Sequence, residues 1–402
     1  MGYKILAINP GSTSTKVALY DEERPLLELN LRHSTEEISR FAGVNDQLDW
    51  RRGLILSALR EEAFDIRNLS AVIGRGGLIR PIPAGVYEVN SRMRYDLRNA
   101  QMKHACNLGG LLAAQIAHMA GVKAYIADPP VVDEMDDAAR ISGMPMCPRK
   151  PVFHALNQKA TARLHCERMG WVYEESNLIV AHMGGGISVA AHKQGRIVDV
   201  NNALDGDGPF APDRAGSIPS SELIKVCFSG QYTKEELLKF ISSKGGLVAY
   251  LGTNSVIQVM ERIAQGDQRA KKVLDAMCYN IVKQIGAMAA ALSGSVQTIV
   301  RHRLQRACRG VHPRTLLVHR SDRGLSGRER TRSAGHQCAG GAPGRHHPQS
   351  LQITRILPGN ERAASFRGAA RSFRCGSNGS GKNNETPLRH SKAMLFQVSG
   401  SP

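Results

Sequence analysis

Two glycine-rich turns, each entered from an apolar strand-like segment, constrain the fold of this chain more than any other feature. The first turn occupies residues 9–16, between apolar segments at 3–8 and 17–20. The second contains three consecutive glycines, at 184–186, and follows the apolar segment 178–183. Turns with little side-chain bulk let a polyphosphate approach the backbone N–H groups closely. Two such turns predict two related half-structures that clamp one nucleotide between them.

Apolar periodicity predicts alternating strands and helices in each half. In the first half the predicted strands are 3–9, 17–20, 26–31, 70–73 and 122–127, and the predicted helices are 35–41, 47–62, 107–119 and 154–168. After about residue 170 the pattern restarts, with strands at 177–182, 187–192 and 196–200 and helices at 219–228, 233–242, 255–265 and 268–292. This order predicts an α/β fold in which a mixed sheet flanked by helices occurs twice.

The charge distribution separates the last quarter of the chain from the rest. Residues 301–402 hold 19 of the 53 Lys and Arg residues but only 4 of the 35 Asp and Glu residues. The first 300 residues are therefore close to neutral, although the whole chain carries a net charge of +18. We predict an N-terminal half at 1–155, a C-terminal half at 156–300 and an Arg-rich tail at 301–402, since 300 residues can enclose two sizeable cores.

The tail has the composition of a segment without a core. The apolar strand that begins at Ile299 and Val300 stops at a run of basic residues, and no period of 2 or 3.6 follows it. So little apolar surface cannot offset chain entropy, which predicts disorder. We interpret the tail as translated out of frame from about Val300, which would make the chain a truncated, inactive product. The alternative, an RNA-binding protein that uses its basic tail, lacks aromatic interleaving and RGG repeats.

Other compositional signals indicate a cytoplasmic protein. The N-terminus lacks the long apolar segment of a secretion signal, and the longest run of small and apolar residues, 285–292, is too short to span a bilayer. The eight cysteines contain no C-x-x-C pair, which argues against a disulfide framework or a zinc site. We expect reduced thiols, no membrane partner and no nucleic-acid partner.

The two turns supply the candidate nucleotide ligands. Hydroxyl and backbone donors of the first turn can bind phosphate oxygens, and Asn9 can hold a phosphate oxygen or a metal-bound water. In the second turn, His182 can donate to a charge-rich transition state. The candidate residues are Asn9, Gly11, Ser12, Thr13, Ser14, Lys16, His182, Gly184, Gly185 and Gly186. The alternatives are an ordinary hairpin with Lys16 turned to solvent, a structural bulge at the glycines and a structural histidine.

Four further side chains occupy positions that face ligands in α/β proteins. Arg75 lies between glycines at a strand end, where its guanidinium can make paired hydrogen bonds to a carboxylate or phosphate. Asp128 follows the strand 122–127 and can coordinate Mg²⁺ or orient an acceptor. Arg214 belongs to the polar loop 205–217, and His104 precedes a helix. The alternatives are a flexible surface arginine, a proline-turn cap and a structural histidine.

Taken together, these segments resemble the acetate kinase/butyrate kinase family of the actin-like ATPase superfamily. The resemblance covers residues 3–300 and is carried by the segments ILAINPGSTSTKVALY, VIGRGGLIRPIPAGVYEVN, HACNLGG, ADPPVVDEM, ISGMP, PVFHALNQKA, HMGGGISVAAH and GRIVDVNNALDGDGPFAPDRAGSIP. It implies duplicated ribonuclease-H-like halves around a nucleotide cleft, with the second half truncated. It also implies transfer of the γ-phosphoryl group of ATP, with Mg²⁺, to butyrate or a similar short acid.

The resemblance also implies the chemical roles. Arg75 and Arg214 match arginines that hold carboxylate and phosphoryl oxygens, and Asp128 matches the catalytic carboxylate. His182 would stabilise the transferring group, and His104 would lie beside the acid. Because a carboxylate is already anionic, alignment and charge neutralisation by arginine, histidine, Mg²⁺ and backbone amides are the tools that this transfer needs.

Two expectations concern the metal and the end of the resemblance. Asn9 and Asp128 are the candidate magnesium ligands. In the family the chain continues after Val300 into a Thr-Gly-Gly loop that binds adenosine, and this sequence lacks that loop. The resemblance also implies a homo-oligomer.

Overall fold

Two mixed β-sheets with the same strand order organise the chain. The computed structural model describes residues 2–302 and 352–355. The strands are β1 Lys4–Pro10, β2 Ser14–Asp21, β3 Arg24–Arg32, β4 Ala71–Arg75, β5 Val86–Glu88, β6 Lys123–Ala127, β7 Asn177–Met183, β8 Ile187–Lys193, β9 Arg196–Val200, β10 Thr298–His302 and β11 Gln352–Arg355.

The first sheet has the order β3-β2-β1-β4-β6-β5, and the second has the order β9-β8-β7-β10-β11. In each sheet three strands form an antiparallel meander, and two further strands add parallel to its first strand. The first five strands of one sheet thus correspond one by one to the strands of the other. This repetition confirms the predicted duplicated α/β fold. The glycine-rich turns occupy equivalent places, between β1 and β2 and between β7 and β8.

The strand β11 lies in the segment for which the sequence predicts no regular structure. It pairs in parallel with β10, at the edge of the second sheet. The rest of the predicted disordered, out-of-frame tail, 303–351 and 356–402, lies outside the described residues.

Eleven helices in the described part of the chain cover the sheets. They are α1 Thr35–Ser39, α2 Leu48–Glu61, α3 Ser91–Asn99, α4 Asn107–Ala120, α5 Asp137–Arg140, α6 Ala155–Met169, α7 Ser220–Cys227, α8 Lys234–Ser242, α9 Gly246–Leu251, α10 Val256–Ala264 and α11 Gln268–Ala291. None of these helices is both long and apolar enough to cross a membrane. The five described cysteines are free thiols.

The helix α6 packs between the two sheets. Its residue Leu156 belongs to a buried cluster with Ile5 and Ala7 of β1. One turn and a half later, Ala162 belongs to a buried cluster with Leu178 of β7. Two sides of α6 therefore bury apolar residues, and polar residues such as Gln158 and Lys159 are buried along it as well. The helix fixes the two sheets against each other.

A buried arginine on α2 supports the first glycine-rich turn from behind. Arg51 is fully buried, and its Nη1 donates to the Gly11 carbonyl at 2.9 Å and to Thr15 Oγ1 at 2.9 Å. Its Nη2 donates to Gln47 Oε1 at 2.8 Å. Burial lowers the pKa of Arg51 to about 10, so it remains a cation at neutral pH. The charge holds three acceptors of the turn region in place.

We expect Arg51→Met to destabilise the protein by about 3 kcal/mol or more, because several buried acceptors lose their donor. Urea denaturation measures the change. The control is Arg52→Met, which removes an exposed pair with Asp49 and should cost about 0.5 kcal/mol. Equal losses in the two variants would contradict this role of Arg51.

Candidate active site

One cavity between the two halves collects three of the residues that the sequence singled out. Arg75, His104 and Arg214 all line it. The interior offers about 80 Å³ to the centres of water-sized molecules, several times what one water needs. The remaining lining residues are Leu78, Cys106, Pro130, Val152, Phe153, His154, Ala203 and Leu204. The cavity thus combines cationic and imidazole groups with an apolar wall.

Arg75 ends β4, where glycines allow close packing on both sides. A Cβ on Gly74 would lie 2.1 Å from the Gly109 carbonyl oxygen of α4, and one on Gly76 would lie 2.6 Å from Pro129 Cβ. Gly74 and Gly76 are therefore required because neighbouring atoms come too close for a side chain. The sequence suggested a different reason, namely that small neighbours leave the Arg75 guanidinium free to move. The Arg75 guanidinium makes no hydrogen bond or ion pair with any described residue.

Arg214 reaches the cavity from the loop after β9. Its Nε is buried without a hydrogen-bond partner among the described residues, and the Asp213 carboxylate oxygen is 3.6 Å away. Burial lowers the pKa of Arg214, while Asp213 opposes that shift. Two arginines thus face one cavity, and the described carboxylates that act on Arg214 are Asp213 and, to a smaller extent, Asp205. Such a site attracts an anion.

His104 is a neutral hydrogen-bond donor in this cavity. Burial, followed by the charges of Arg75 and Arg214, lowers the pKa of His104 to about 4. The Cys106 N–H lies 3.1 Å from His104 Nδ1 and donates to it. The proton of the neutral ring is therefore on Nε2.

The structure adds His154, which the sequence analysis missed. His154 immediately precedes α6 and lines the cavity. Its ring stacks on that of His182, with the centroids 4.1 Å apart. His182 itself is buried and is not part of the cavity wall. The segment PVFH carries no spacing that marks its histidine, since the contact to His182 spans 28 residues.

The second glycine-rich turn packs beneath the Arg214 loop. A Cβ on Gly186 would lie 2.9 Å from Arg214 Nε and 2.9 Å from the Ala203 carbonyl oxygen. A Cβ on Gly185 would lie 3.3 Å from the Asp213 carboxylate. None of the residues 184–186 has a positive φ. Close approach of the neighbouring loop, rather than left-handed backbone, therefore explains these glycines, and it places the turn beside the cavity.

Asp128 follows β6 and is buried, but it does not line the cavity. Its φ of +34° is in the left-handed region, which is strained for a residue with a side chain. Oδ1 accepts a hydrogen bond from the Gly85 N–H at 2.8 Å, and Oδ2 is buried without a hydrogen-bond partner among the described residues. Burial raises the pKa of Asp128, against the charges of Arg163 and Lys159.

This carboxylate has the chemistry of a magnesium ligand. An unpartnered buried oxygen can accept a bond from a cation or from its hydration shell. The described residues contain no group of three or more His, Cys, Asp or Glu side chains suited to a metal. Mg²⁺ at a phosphate site needs no such group, because one or two carboxylates, waters and phosphate oxygens complete its shell.

The first glycine-rich turn does not line the cavity. Ser12 and Thr13 are exposed at its tip, and the Gly11 N–H donates to the Ser14 carbonyl at 2.7 Å. Lys16 is buried, so the alternative in which strand alternation turns it to solvent is wrong. It lies opposite Asn9 in the β1–β2 ladder.

Strand alternation nevertheless directs the two turns toward the same helix. Asn9 lies on the face of β1 that carries Ile5 and Ala7, which pack in the cluster of α6. His182 lies on the face of β7 that carries Leu178 and Val180, which also pack in a cluster of α6. The polar residues that end β1 and β7 therefore belong to the faces that the two sheets turn toward α6.

We expect His104→Asn to weaken the pH dependence of stability between about pH 4 and 6.5. The unfolded histidine binds a proton in this window and the buried one does not, so acidification destabilises the native protein. One such group contributes up to about 1.4 kcal/mol per pH unit. Urea unfolding as a function of pH measures the slope, and exposed His118→Asn is the control. An unchanged slope in His104→Asn would contradict the neutral state.

Comparisons with known proteins identify the family. A model described as the Acetokinase family matches residues 147–302. Butyrate kinase 2 of Clostridium acetobutylicum is 51% identical over 301 residues, which is 75% of this chain and 85% of that protein. A probable butyrate kinase of Bacteroides thetaiotaomicron is 52% identical over 298 residues, which is 74% of this chain and 84% of that protein.

Solved structures support the fold. Acetate kinase of Porphyromonas gingivalis has a TM-score of 0.60 at 21% identity, over 74% of this chain and 82% of that chain. A propionate kinase from Francisella tularensis has a TM-score of 0.58 at 15% identity, over 74% of this chain and 83% of that chain. With relatives about half identical over most of their length, and with the duplicated sheets and the cavity described above, this chain belongs to the acetokinase family.

Proposed function

We propose that this protein transfers the γ-phosphoryl group of ATP to the carboxylate of butyrate or a similar short-chain acid. The products are the acyl phosphate and ADP. The observation that carries the proposal is the pair Arg75 and Arg214 in a small cavity with an apolar wall. A short acid has the matching chemistry, an anionic head and an apolar tail. The kinases that resemble this chain are named for butyrate, acetate and propionate.

The acid is held through its charge. Arg75 and Arg214 donate to carboxylate oxygens and, during transfer, to phosphoryl oxygens, and His104 Nε2–H supplies a further donor. A carboxylate oxygen then attacks the terminal phosphorus of ATP, a new O–P bond forms, and the bond to the ADP oxygen breaks. No proton has to leave the acid, because it is already ionised. Catalysis therefore rests on alignment and on neutralising repulsion between anions.

The nucleotide is held by the two glycine-rich turns. Asn9, Gly11, Ser12, Thr13, Ser14 and Lys16 bind the polyphosphate from one side, and His182, Gly184, Gly185 and Gly186 bind it from the other. Asp128 and Asn9 hold Mg²⁺, directly or through water. When bound, the metal neutralises charge on the transferring phosphoryl group. Asp128 also orients the reacting groups, and His182 stabilises the group in transfer. The supporting observations are the buried Asp128 Oδ2 and the strand faces of Asn9 and His182.

The apolar wall sets the length of the acid. Leu78, Val152, Phe153 and Leu204 offer a surface for a short alkyl chain. One methylene group in such a pocket is worth about 1–3 kcal/mol, so related acids compete at different affinities. We propose butyrate as the preferred length because the relatives that are about half identical carry that name.

We further propose that the acid site is complete, while the adenosine side of the nucleotide site is weakened. The cavity is built from residues 75–214, all of which lie within the halves proposed at 1–155 and 156–300. The relatives' match covers about three quarters of this chain. The sequence after His302 lacks the Thr-Gly-Gly loop that the resemblance implies for adenosine. The proposal therefore expects tight acid binding and slow turnover, in a cytoplasmic homo-oligomer.

We expect hydroxylamine trapping of the acyl phosphate to detect Mg²⁺- and butyrate-dependent product. Arg75→Gln and Arg214→Gln should each lower kcat/KM by about 10²–10³-fold, because each removes a charge that the transition state requires. The control is Arg196→Gln, which changes an exposed arginine on β9 and should leave kcat/KM within about twofold.

Two measurements separate the parts of the proposal. Saturation-transfer NMR without nucleotide reports butyrate binding, which should disappear in Arg75→Gln. A folded protein that binds butyrate but forms no acyl phosphate would contradict catalysis by this chain and leave the acid site standing. A folded protein that binds no short acid would contradict the proposed function altogether.

A further inference from the structure

A chain of buried hydrogen bonds runs from the cavity into the packing between α6 and the second sheet. His154 Nδ1 lies 3.0 Å from Ser188 Oγ, and Ser188 Oγ lies 2.9 Å from Gln158 Nε2. Gln158 Oε1 lies 3.2 Å from His192 Nε2, and His192 Nδ1 lies 2.9 Å from the Tyr173 hydroxyl. Gln158, Ser188 and His192 are fully buried, so water does not compete for these bonds.

The side-chain amide of Gln158 fixes which atoms donate and which accept along this series of hydrogen bonds. Gln158 Nε2 also lies 2.9 Å from the Ser188 carbonyl oxygen. A carbonyl only accepts hydrogen bonds, so the amide must present its NH₂ group to Ser188. The amide oxygen of Gln158 then faces His192. The opposite orientation of the amide would bring two acceptors together in a buried place, which is costly.

The orientation of the Gln158 amide determines which ring nitrogen of His192 carries the proton. Since Gln158 Oε1 accepts, His192 Nε2 carries the proton and donates to it. His192 Nδ1 is then an acceptor, and the Tyr173 O–H donates to it. Burial lowers the pKa of His192 well below its ordinary value and raises that of Tyr173, so both groups are neutral. The series of hydrogen bonds thus ends at Tyr173, whose neutral hydroxyl is a donor.

The direction also determines the proton on His154. The second N–H of Gln158 Nε2 donates to Ser188 Oγ, which leaves the serine hydroxyl free to donate in turn. Its neighbour at 3.0 Å is His154 Nδ1, which therefore accepts. Because Nδ1 accepts this hydrogen bond, it carries no proton, and the ring proton of His154 is on Nε2.

We propose that Gln158 and Ser188 are positioning residues that hold His154 as an Nε2–H donor at the acid cavity. The inference rests on the proposed function of that cavity. The wall then contains two imidazoles in the same state, because His104 also accepts at Nδ1, from the Cys106 N–H. The two neutral N–H donors can hydrogen-bond to the carboxylate oxygens before transfer and to the phosphoryl oxygens during transfer. Neither ring has to gain or lose a proton.

The stacking of His154 on His182 also connects this assignment to the second glycine-rich turn. Ser188 lies directly opposite His182 in the β7–β8 ladder. One serine therefore fixes the ring that stacks on His182 while belonging to the strand that follows the second glycine-rich turn. The chain links the acid cavity to the turn that is proposed to bind phosphate.

Nitrogen-15 NMR of the histidine rings in the full chain tests the proposal without turnover. His154→Gln identifies the signal by its loss. We expect the wild-type His154 ring to be protonated at Nε2 alone at neutral pH. In Gln158→Leu, Ser188 Oγ loses its N–H donor and becomes able to accept from His154, so protonation at Nδ1 should appear beside that at Nε2. The control, Gln268→Leu, makes the same change at the exposed start of α11 and should leave the His154 signals unchanged.

Kinetics supply the second readout. Ser188→Ala removes the donor to His154 Nδ1 and should lower kcat about tenfold, with KM within about twofold, because only the orientation of a donor is lost. A wild-type His154 with its proton on Nδ1 would overturn the proposal, whatever the activity. A variant Ser188→Ala with unchanged His154 signals and unchanged kcat would also overturn it. Absence of kinase activity would contradict the proposed function, and the NMR assignment would still decide this inference.

Discussion

The packing of α6 between the two sheets is the constraint on which the rest of the structure depends. Leu156 contacts the core face of the first sheet, and Ala162 contacts that of the second. Because one helix serves both sheets, the ends of β1 and β7 belong to faces that meet it. The residue before the helix, His154, lines the cavity and stacks on His182. The packing of this one helix against both sheets thus brings residues of two similar half-structures together at one cavity.

The electrostatics of the cavity follow from burial. Burial makes the positive charge of Arg214 costly, Asp213 lies beside it, and Arg75 brings a second positive charge to the same cavity. The imidazole of His104 responds by staying neutral. An anionic substrate removes the imbalance, so binding energy and catalytic stabilisation come from the same groups. The neutral ring of His104 and, in the proposal above, that of His154 add N–H donors to the cavity wall around the anion.

The sequence predicted those strands and helices whose positions depend on local apolar periodicity. Most strands and the long helices lie where periodicity places them, and Arg75, His104 and Arg214 line one cavity. Strand β5, at Val86–Glu88, was missed because three residues are too few to show a period, and α3 was missed because only Met93 and Leu97 join the core from a mostly polar helix. His154 was missed since its role depends on contacts about 30 residues away in the chain. For the same reason, the close approach of the Arg214 loop to Gly185 and Gly186 was not predicted.

The central claim is that both glycine-rich turns hold the phosphates of one ATP molecule. Hydrogen exchange of backbone amides, measured on the full chain with and without saturating Mg²⁺ and ATP, tests it most directly. The account predicts slower exchange at residues 12–14 and at residues 185–186 together, since these N–H groups would face the nucleotide, whereas those of Gly11 and Gly184 already donate to carbonyls within their turns. Protection of only one turn, or of neither, would contradict it.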